Sequence, residues 1–276
     1  EREFHEDVII VDEFSMIDVK VCNMLISMIK NEDAKIIFVG DNAQLLPVGC
    51  GNVFNDIINS NTIPNNELTK VLRYDTDGGL FVATNIRQGR DFFDDPMVKH
   101  EGNIYRVCNN WRFYECEENK IFDTLIDVYN ALLNGEITPN HAKAKPSEIL
   151  CLSPQNIGEI GTYRLNNEIQ NIVNPIKPNQ TCLTRKIGNV TINFRVGDKV
   201  INKRNDYRAI SVESYQIIEE SGGLLSVDDV PPSTVFNGEI GYIRELNEKN
   251  CTIQFGEQML VFDKNKMAHD VLLGYC

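Results

Sequence analysis

Val8-Ile9-Ile10-Val11-Asp12-Glu13 is the stretch on which the fold of this chain turns. An unbroken apolar run closed by acids fits a strand covered on both faces in a parallel sheet. Asp18 stands where it can cap a helix, and Val21, Cys22, Leu25, Ile26 and Ile29 recur at helical spacing on one face. Lys35-Ile36-Ile37-Phe38-Val39 is a second such strand, ending at Gly40-Asp41. Strand, helix and strand in this order predict a parallel crossover unit.

Outward from this unit, the spacing predicts short helices over residues 52–58 and 80–87, the latter closed by Gly89. Residues 91–118 are mixed and support no assignment. Ile121, Phe122, Leu125, Ile126, Tyr129, Leu132 and Leu133 form an amphipathic helix stopped by Gly135. A linker is expected over 138–146, then a buried strand Ile149-Leu150-Cys151-Leu152 and a helix carrying Leu165, Ile169, Ile172 and Val173. From about Val190 short β-type segments alternate with turns, among them Asn237-Gly238, and predict a small antiparallel barrel. Residues 219–233, with two Gly and two Pro, are expected to form a mobile loop inside it.

Composition bounds the class. The 276 residues carry 27 basic and 40 acidic side chains, a formal charge of −13, which argues against wrapping duplex DNA by charge alone. A hydrophobic fraction of 42% and a charged fraction of 24% exclude collagen-like, disordered and disulfide-stapled chains. No apolar run reaches the roughly 18 residues of a membrane helix. Eight cysteines without a CxxC pair read as buried thiols in a reducing, cytoplasmic compartment rather than as a zinc site. In such a compartment the sequons at Asn179, Asn189 and Asn250 have no meaning. The chain opens just before one apolar strand and closes on Val271-Leu272-Leu273-Gly274-Tyr275-Cys276, so it is expected to be a piece of a longer protein.

Ligands of open α/β sheets bind beyond the carboxyl ends of strands, where Asp12 and Glu13 stand. Asp12 can hold a hydrated Mg²⁺ through one carboxylate, and Glu13 can orient or deprotonate a water attacking a phosphoryl group. Gln44, beyond the neighbouring strand, can touch the same phosphate without competing for the metal. Taken singly, each fits a blander role: a capping acid with a solvated Glu, and an exposed Gln after an Asp-Asn turn. Their joint occurrence on successive strands favours the shared site.

Val11-Asp12-Glu13-Phe14-Ser15-Met16-Ile17-Asp18 resembles motif II of superfamily 1 helicases. Val39-Gly40-Asp41 through Gln44-Leu45-Leu46-Pro47-Val48-Gly49-Cys50-Gly51-Asn52-Val53-Phe54 resembles motif III. Leu68-Thr69-Lys70-Val71-Leu72-Arg73 with Ala83-Thr84-Asn85-Ile86-Arg87-Gln88-Gly89 is similar to the motif IV neighbourhood. Leu152-Ser153-Pro154, with Leu165-Asn166-Asn167-Glu168-Ile169-Gln170, is similar to the opening of a second motor domain. Phe194-Arg195-Val196-Gly197-Asp198-Lys199-Val200-Ile201, with Val235-Phe236-Asn237-Gly238-Glu239-Ile240-Gly241, resembles the inserted barrel of RecD-like helicases, the exodeoxyribonuclease V alpha-subunit type.

The resemblance implies an α/β fold: parts of two RecA-like parallel-sheet domains with an inserted small antiparallel β-barrel. It divides the chain into the C-terminal part of the first motor domain (1–95), the start of the second (96–190), the barrel (191–266) and a return strand (267–276). It implies ATP and Mg²⁺ as cofactors and 5′-to-3′ translocation on single-stranded DNA in repair and recombination. Other exonuclease V-type subunits are implied partners, and no membrane is. Asp12 is then the Mg²⁺ ligand, Glu13 the residue that activates water, Gln44 the γ-phosphate sensor and Arg73 the arginine that reaches the phosphates. Asn52, Arg195 and Lys199 are the candidate nucleic-acid contacts, in a barrel region that also carries Lys203, Arg204 and Arg208. Trp111, Phe113 and Tyr114 fit core packing better than base stacking.

Three departures stand out. Phe14 replaces a usual small residue, Tyr74 a usual Gln, and Leu46 a frequent Pro. No GxxxxGK[ST] occurs, so the chain is expected to begin after the phosphate-binding loop, and to stop before the last helicase motifs. On that ground the isolated chain is expected to be inactive. Two alternatives stay open: a non-catalytic DNA-binding or structural module, and the helicase half of a relaxase.

Overall fold

The structure, a computed structural model, describes residues 3–71, 78–187 and 190–276. It divides into two compact units, residues 1–101 with 105–113, and residues 102–104 with 114–276.

The first unit is built on the expected crossover. Strands β1 (Val8–Val11) and β2 (Lys35–Phe38) pair in parallel, with Val8 opposite Lys35 and Val11 opposite Phe38. Helix α1 (Val19–Met28) joins them, and the Asp18 carboxylate accepts a hydrogen bond from the Val21 amide at 2.8 Å. That bond satisfies one of the amides a helix leaves open at its first turn. Helices α2 (Val53–Ser60) and α3 (Gly78–Arg87) follow. The stretch that the sequence left unassigned holds a three-stranded sheet, β3 (Val98–Glu101), β4 (Ile104–Val107) and β5 (Trp111–Tyr114). Its small core is Val82, Phe92 and Val107, with Phe81, Val98 and Trp111 packed around them. Trp111 is thus a packing residue, whereas Phe113 is 40% exposed.

The second unit opens with α4 (Ile121–Asn134), whose Phe122, Leu125, Ile126 and Tyr129 face the core. Gly135 ends it at φ 79°, and its amide closes onto the Ala131 and Leu132 carbonyls. A side chain at Gly135 would meet the His141 carbonyl at 2.4 Å, so the stop needs glycine on two counts. Helix α5 (Thr162–Val173) follows, burying Leu165 and Ile169 completely. Strands β6 (Leu183–Ile187) and β7 (Val190–Phe194) pair antiparallel.

The remaining strands are β8 (Lys199–Asn202), β9 (Asp206–Ser211), β10 (Ser233–Val235), β11 (Ile240–Leu246), β12 (Asn250–Phe255), β13 (Gln258–Asp263) and β14 (Val271–Leu273). They form one sheet in the order β10-β9-β13-β12-β11-β8-β14, antiparallel at every pairing. Ile243, Ile253 and Leu260 are fully buried in its core. The expected α/β class with an antiparallel β module is therefore present.

Two local expectations are corrected. Ile149-Leu150-Cys151-Leu152 forms no strand. Its backbone is held instead by the Lys199 ammonium, which donates to the Ile149 carbonyl at 2.9 Å, and by the Cys151 amide, which donates to the Tyr275 carbonyl. Leu152 is left 81% exposed. The expected loop 219–233 begins inside helix α6 (Val212–Glu220) and contains a 3-10 turn at Val227–Asp229. A last helix, α7 (Lys264–Asp270), leads into β14.

Candidate nucleotide site

Asp12 and Glu13 follow directly on β1. The Glu13 amide donates to the Asp12 carboxylate at 2.9 Å, and Glu13 adopts the left-handed conformation at φ 52°. This conformation is uncommon for a residue with a side chain and turns the chain sharply off the strand. The ladder between the strands runs one step further. The Val39 amide donates to the Val11 carbonyl at 2.9 Å, and the Phe14 amide to the Val39 carbonyl at 2.8 Å. Both acids, and the turn that starts at Gly40, therefore emerge at the carboxyl ends of adjacent parallel strands. Asp12, Glu13 and Gln44 are all exposed there.

Phe14, the departure closest to the acids, turns into the core. It is fully buried, stacked on Phe38 at 4.0 Å and edge-on to Phe54 at 5.8 Å. Gly40 makes room for this packing, because a side chain there would meet the Ser15 amide at 3.0 Å and the Phe54 ring at 3.1 Å. The bulky residue thus packs into the interior while the acids before it stay exposed.

The Gln44 turn is organised by Asp41. Its carboxylate accepts from the Ala43 amide at 3.0 Å, and its carbonyl accepts from the Gln44 amide at 3.2 Å. Arg87, in the last turn of α3, donates to the same carboxylate at 2.6 Å and to the Asn42 side-chain carbonyl at 3.4 Å. The Ala43 amide, with the Arg87 guanidinium, holds the Asp41 carboxyl below its ordinary range against a smaller opposing effect of burial. Residues 41–44 and Arg87 both lie in the motif stretches, but nothing in the sequence says that the two meet.

The remaining candidates fall elsewhere. Arg73 lies outside the described residues. Asn52 stands at the N-terminus of α2, and its side chain makes no capping bond. The reading of Arg195 and Lys199 as nucleic-acid contacts is corrected, because they are 3% and 2% exposed. The Lys199 ammonium is spent on the Pro146 and Ile149 carbonyls, and Arg195 reaches the Asn171 side chain at 3.1 Å. Between them Asp198, fully buried, accepts from the Arg195 amide, the Gln170 and Asn174 amides and the Tyr275 hydroxyl. These charges belong to an interior network that fastens β8 to α5 and to the end of the chain.

Comparison with known proteins fits this architecture. Residues 2–105 match the family model described as an AAA domain, and residues 165–255 match the ATP-dependent RecD-like DNA helicase SH3 domain. With the motif series, the two matches in this order support the resemblance to superfamily 1 helicases of the RecD-like type. Among curated proteins it is similar to the uncharacterized protein MJ1519 of Methanocaldococcus jannaschii, at 27% identity over 269 residues, covering 86% of this chain and 21% of that protein. Among solved structures it is similar to Bacteroides Pif1 bound to single-stranded DNA, at 15% identity and TM-score 0.37, covering 95% of this chain and 56% of that one. Bacteroides Pif1 helicase with ADP-AlF3 and single-stranded DNA gives the same figures. The chain thus spans about a fifth of the length of that curated relative. No helix among the described residues is long and apolar enough to cross a membrane.

Proposed function

We propose that the protein containing this chain is an ATP-dependent DNA helicase of the RecD-like type, coupling MgATP hydrolysis to 5′-to-3′ translocation on single-stranded DNA. The observation that carries this reading is the common edge: Asp12 and Glu13 follow β1, and Gln44 follows the turn beyond the adjacent parallel β2. Two acids and a neutral amide at such an edge suit a terminal phosphate, its metal and its water.

Magnesium bound through one carboxylate, with the nucleotide's phosphates and waters completing its shell, asks for a single exposed acid rather than a cage. Asp12, exposed directly after β1, fits that demand. Bound there, the metal would supply charge neutralisation at the phosphates. Glu13 orients the attacking water and takes its proton. Gln44 reads the terminal phosphate, and Arg73 reaches it as charge develops; such arginines contribute about a thousandfold or more. The domain reading that goes with this has motor segments at 1–95 and 96–190, the barrel at 191–266 and the return strand at 267–276. Single-stranded DNA is the proposed partner, with exonuclease V-type subunits as further ones.

The test is Glu13→Gln in the full-length protein. DNA-stimulated ATP turnover is expected to vanish while nucleotide binding persists. Near-normal turnover in that variant overturns the reading.

A further inference from the structure

We propose that Arg87 is a positioning residue for nucleotide sensing, acting through Asp41 to hold the turn that presents Gln44. The inference rests on the reading of Gln44 given above.

The geometry is specific. Arg87 spans two successive side chains of one turn, Asp41 at 2.6 Å and Asn42 at 3.4 Å. The carboxylate oxygen it engages is the one that accepts the Ala43 amide. The carbonyl of the same Asp41 accepts the Gln44 amide. One guanidinium on a helix is therefore two bonds away from the backbone of the sensor. Residues 42–46 are all exposed, so packing does little to fix this turn. A planar fork grips two acceptors at a defined angle, which a surface lysine does not do. As a source of stability the pair contributes little, because both side chains are about two-fifths exposed. Its consequence is orientation, and a small misplacement of a reacting group can cost a hundredfold in rate. Arg87 closes α3, which begins at Gly78, a few residues after Arg73. The clasp thus ties the Gln44 turn to the last turn of α3.

The experiment uses the full-length protein with Arg87→Ala, Arg87→Lys, Gln44→Ala and the Arg87→Ala/Gln44→Ala double variant, beside Glu13→Gln. Steady-state kcat and KM for ATP are measured with and without single-stranded DNA, and thermal melting controls for folding. Arg87→Ala is expected to lower DNA-stimulated kcat about tenfold or more with KM for ATP changed less than about threefold. Arg87→Lys should fall between, and the double variant should be no slower than Gln44→Ala alone, since both remove one function. If Glu13→Gln is inactive but Arg87→Ala keeps wild-type kcat, or if the two losses multiply, the positioning role is overturned and the site reading stands. Should Arg87→Ala fail to fold, Arg87→Lys with unchanged kcat and melting is the result that overturns it. Retained turnover in Glu13→Gln removes the site reading and the inference together.

Discussion

The two units treat their apolar strands in opposite ways. In β1 and β2 the side chains of Val8, Ile10 and Ile37 are about half exposed or more. In β11, β12 and β13 the side chains of Ile243, Ile253 and Leu260 are completely buried. The candidate site stands on the first kind of frame, and the buried polar network sits in the second. The sheet of the second unit owes its shape to burial on top of hydrogen bonding. The parallel pair of the first unit is held by its ladder, by the Asp18 cap and by the Phe14, Phe38 and Phe54 cluster beneath the acids.

The sharpest way to break this contrast is to remove the charge at the centre of the second unit. Asp198→Ala leaves the Gln170, Asn174 and Arg195 amide donors and the Tyr275 hydroxyl without their acceptor. Loss of one partner from a buried charged network typically costs about 3–5 kcal/mol. Chemical denaturation of the chain should show that loss in the transition of the second unit; a shift under about 1 kcal/mol would mean that the network adds little there.

A paired substitution tests the packing contrast directly. Ile253→Ala in the buried sheet is expected to cost about 2–5 kcal/mol, as large-to-small core changes do. Ile10→Ala, at a residue 66% exposed, should stay within about 0.5–1 kcal/mol in the same chain. Equal losses measured by denaturant titration would show that Ile10 is covered in solution.

Legibility in the sequence follows the strength of the local signal, and each unit holds elements of both kinds. The crossover could be read because its strands are unbroken apolar runs and its helix has a side-chain cap. Helix α4 could be read because four turns of period 3.6 end at a glycine. Helix α7, of seven residues, is too short for that period to show; its cap, the Asp263 carboxylate accepting from the Asn265 and Lys266 amides, is visible only in the structure. Strand β3 carries Lys99, His100 and Glu101, so it shows no apolar alternation. Lys199 and Arg195 misled for a related reason. A cation counts as surface until tertiary contacts supply acceptors for it, and those acceptors lie far away in the chain, at Ile149 and Asn171. For the site, the motif residues were legible and the clasp was not, because Arg87 and Asp41 are brought together by the fold alone.

The smallest expected effect lies at that clasp and separates its two components. The folded Asp41 carboxyl titrates below its ordinary value, chiefly through the Ala43 amide and further through Arg87. A carboxyl depressed in the folded state lends stability above its unfolded pKa and loses it as pH falls through the folded value. This contribution is therefore present at neutral pH and fades only in acid, and solvent at the half-exposed pair keeps it small. Arg87→Ala should raise the Asp41 pKa, but not to the ordinary carboxylate range, because the Ala43 amide remains. Carboxyl-detected NMR titration of wild type and variant measures both steps. A full return to the ordinary range would assign the depression to Arg87 alone. An unmoved value would leave the turn governed by its own backbone, with the helix arginine a bystander.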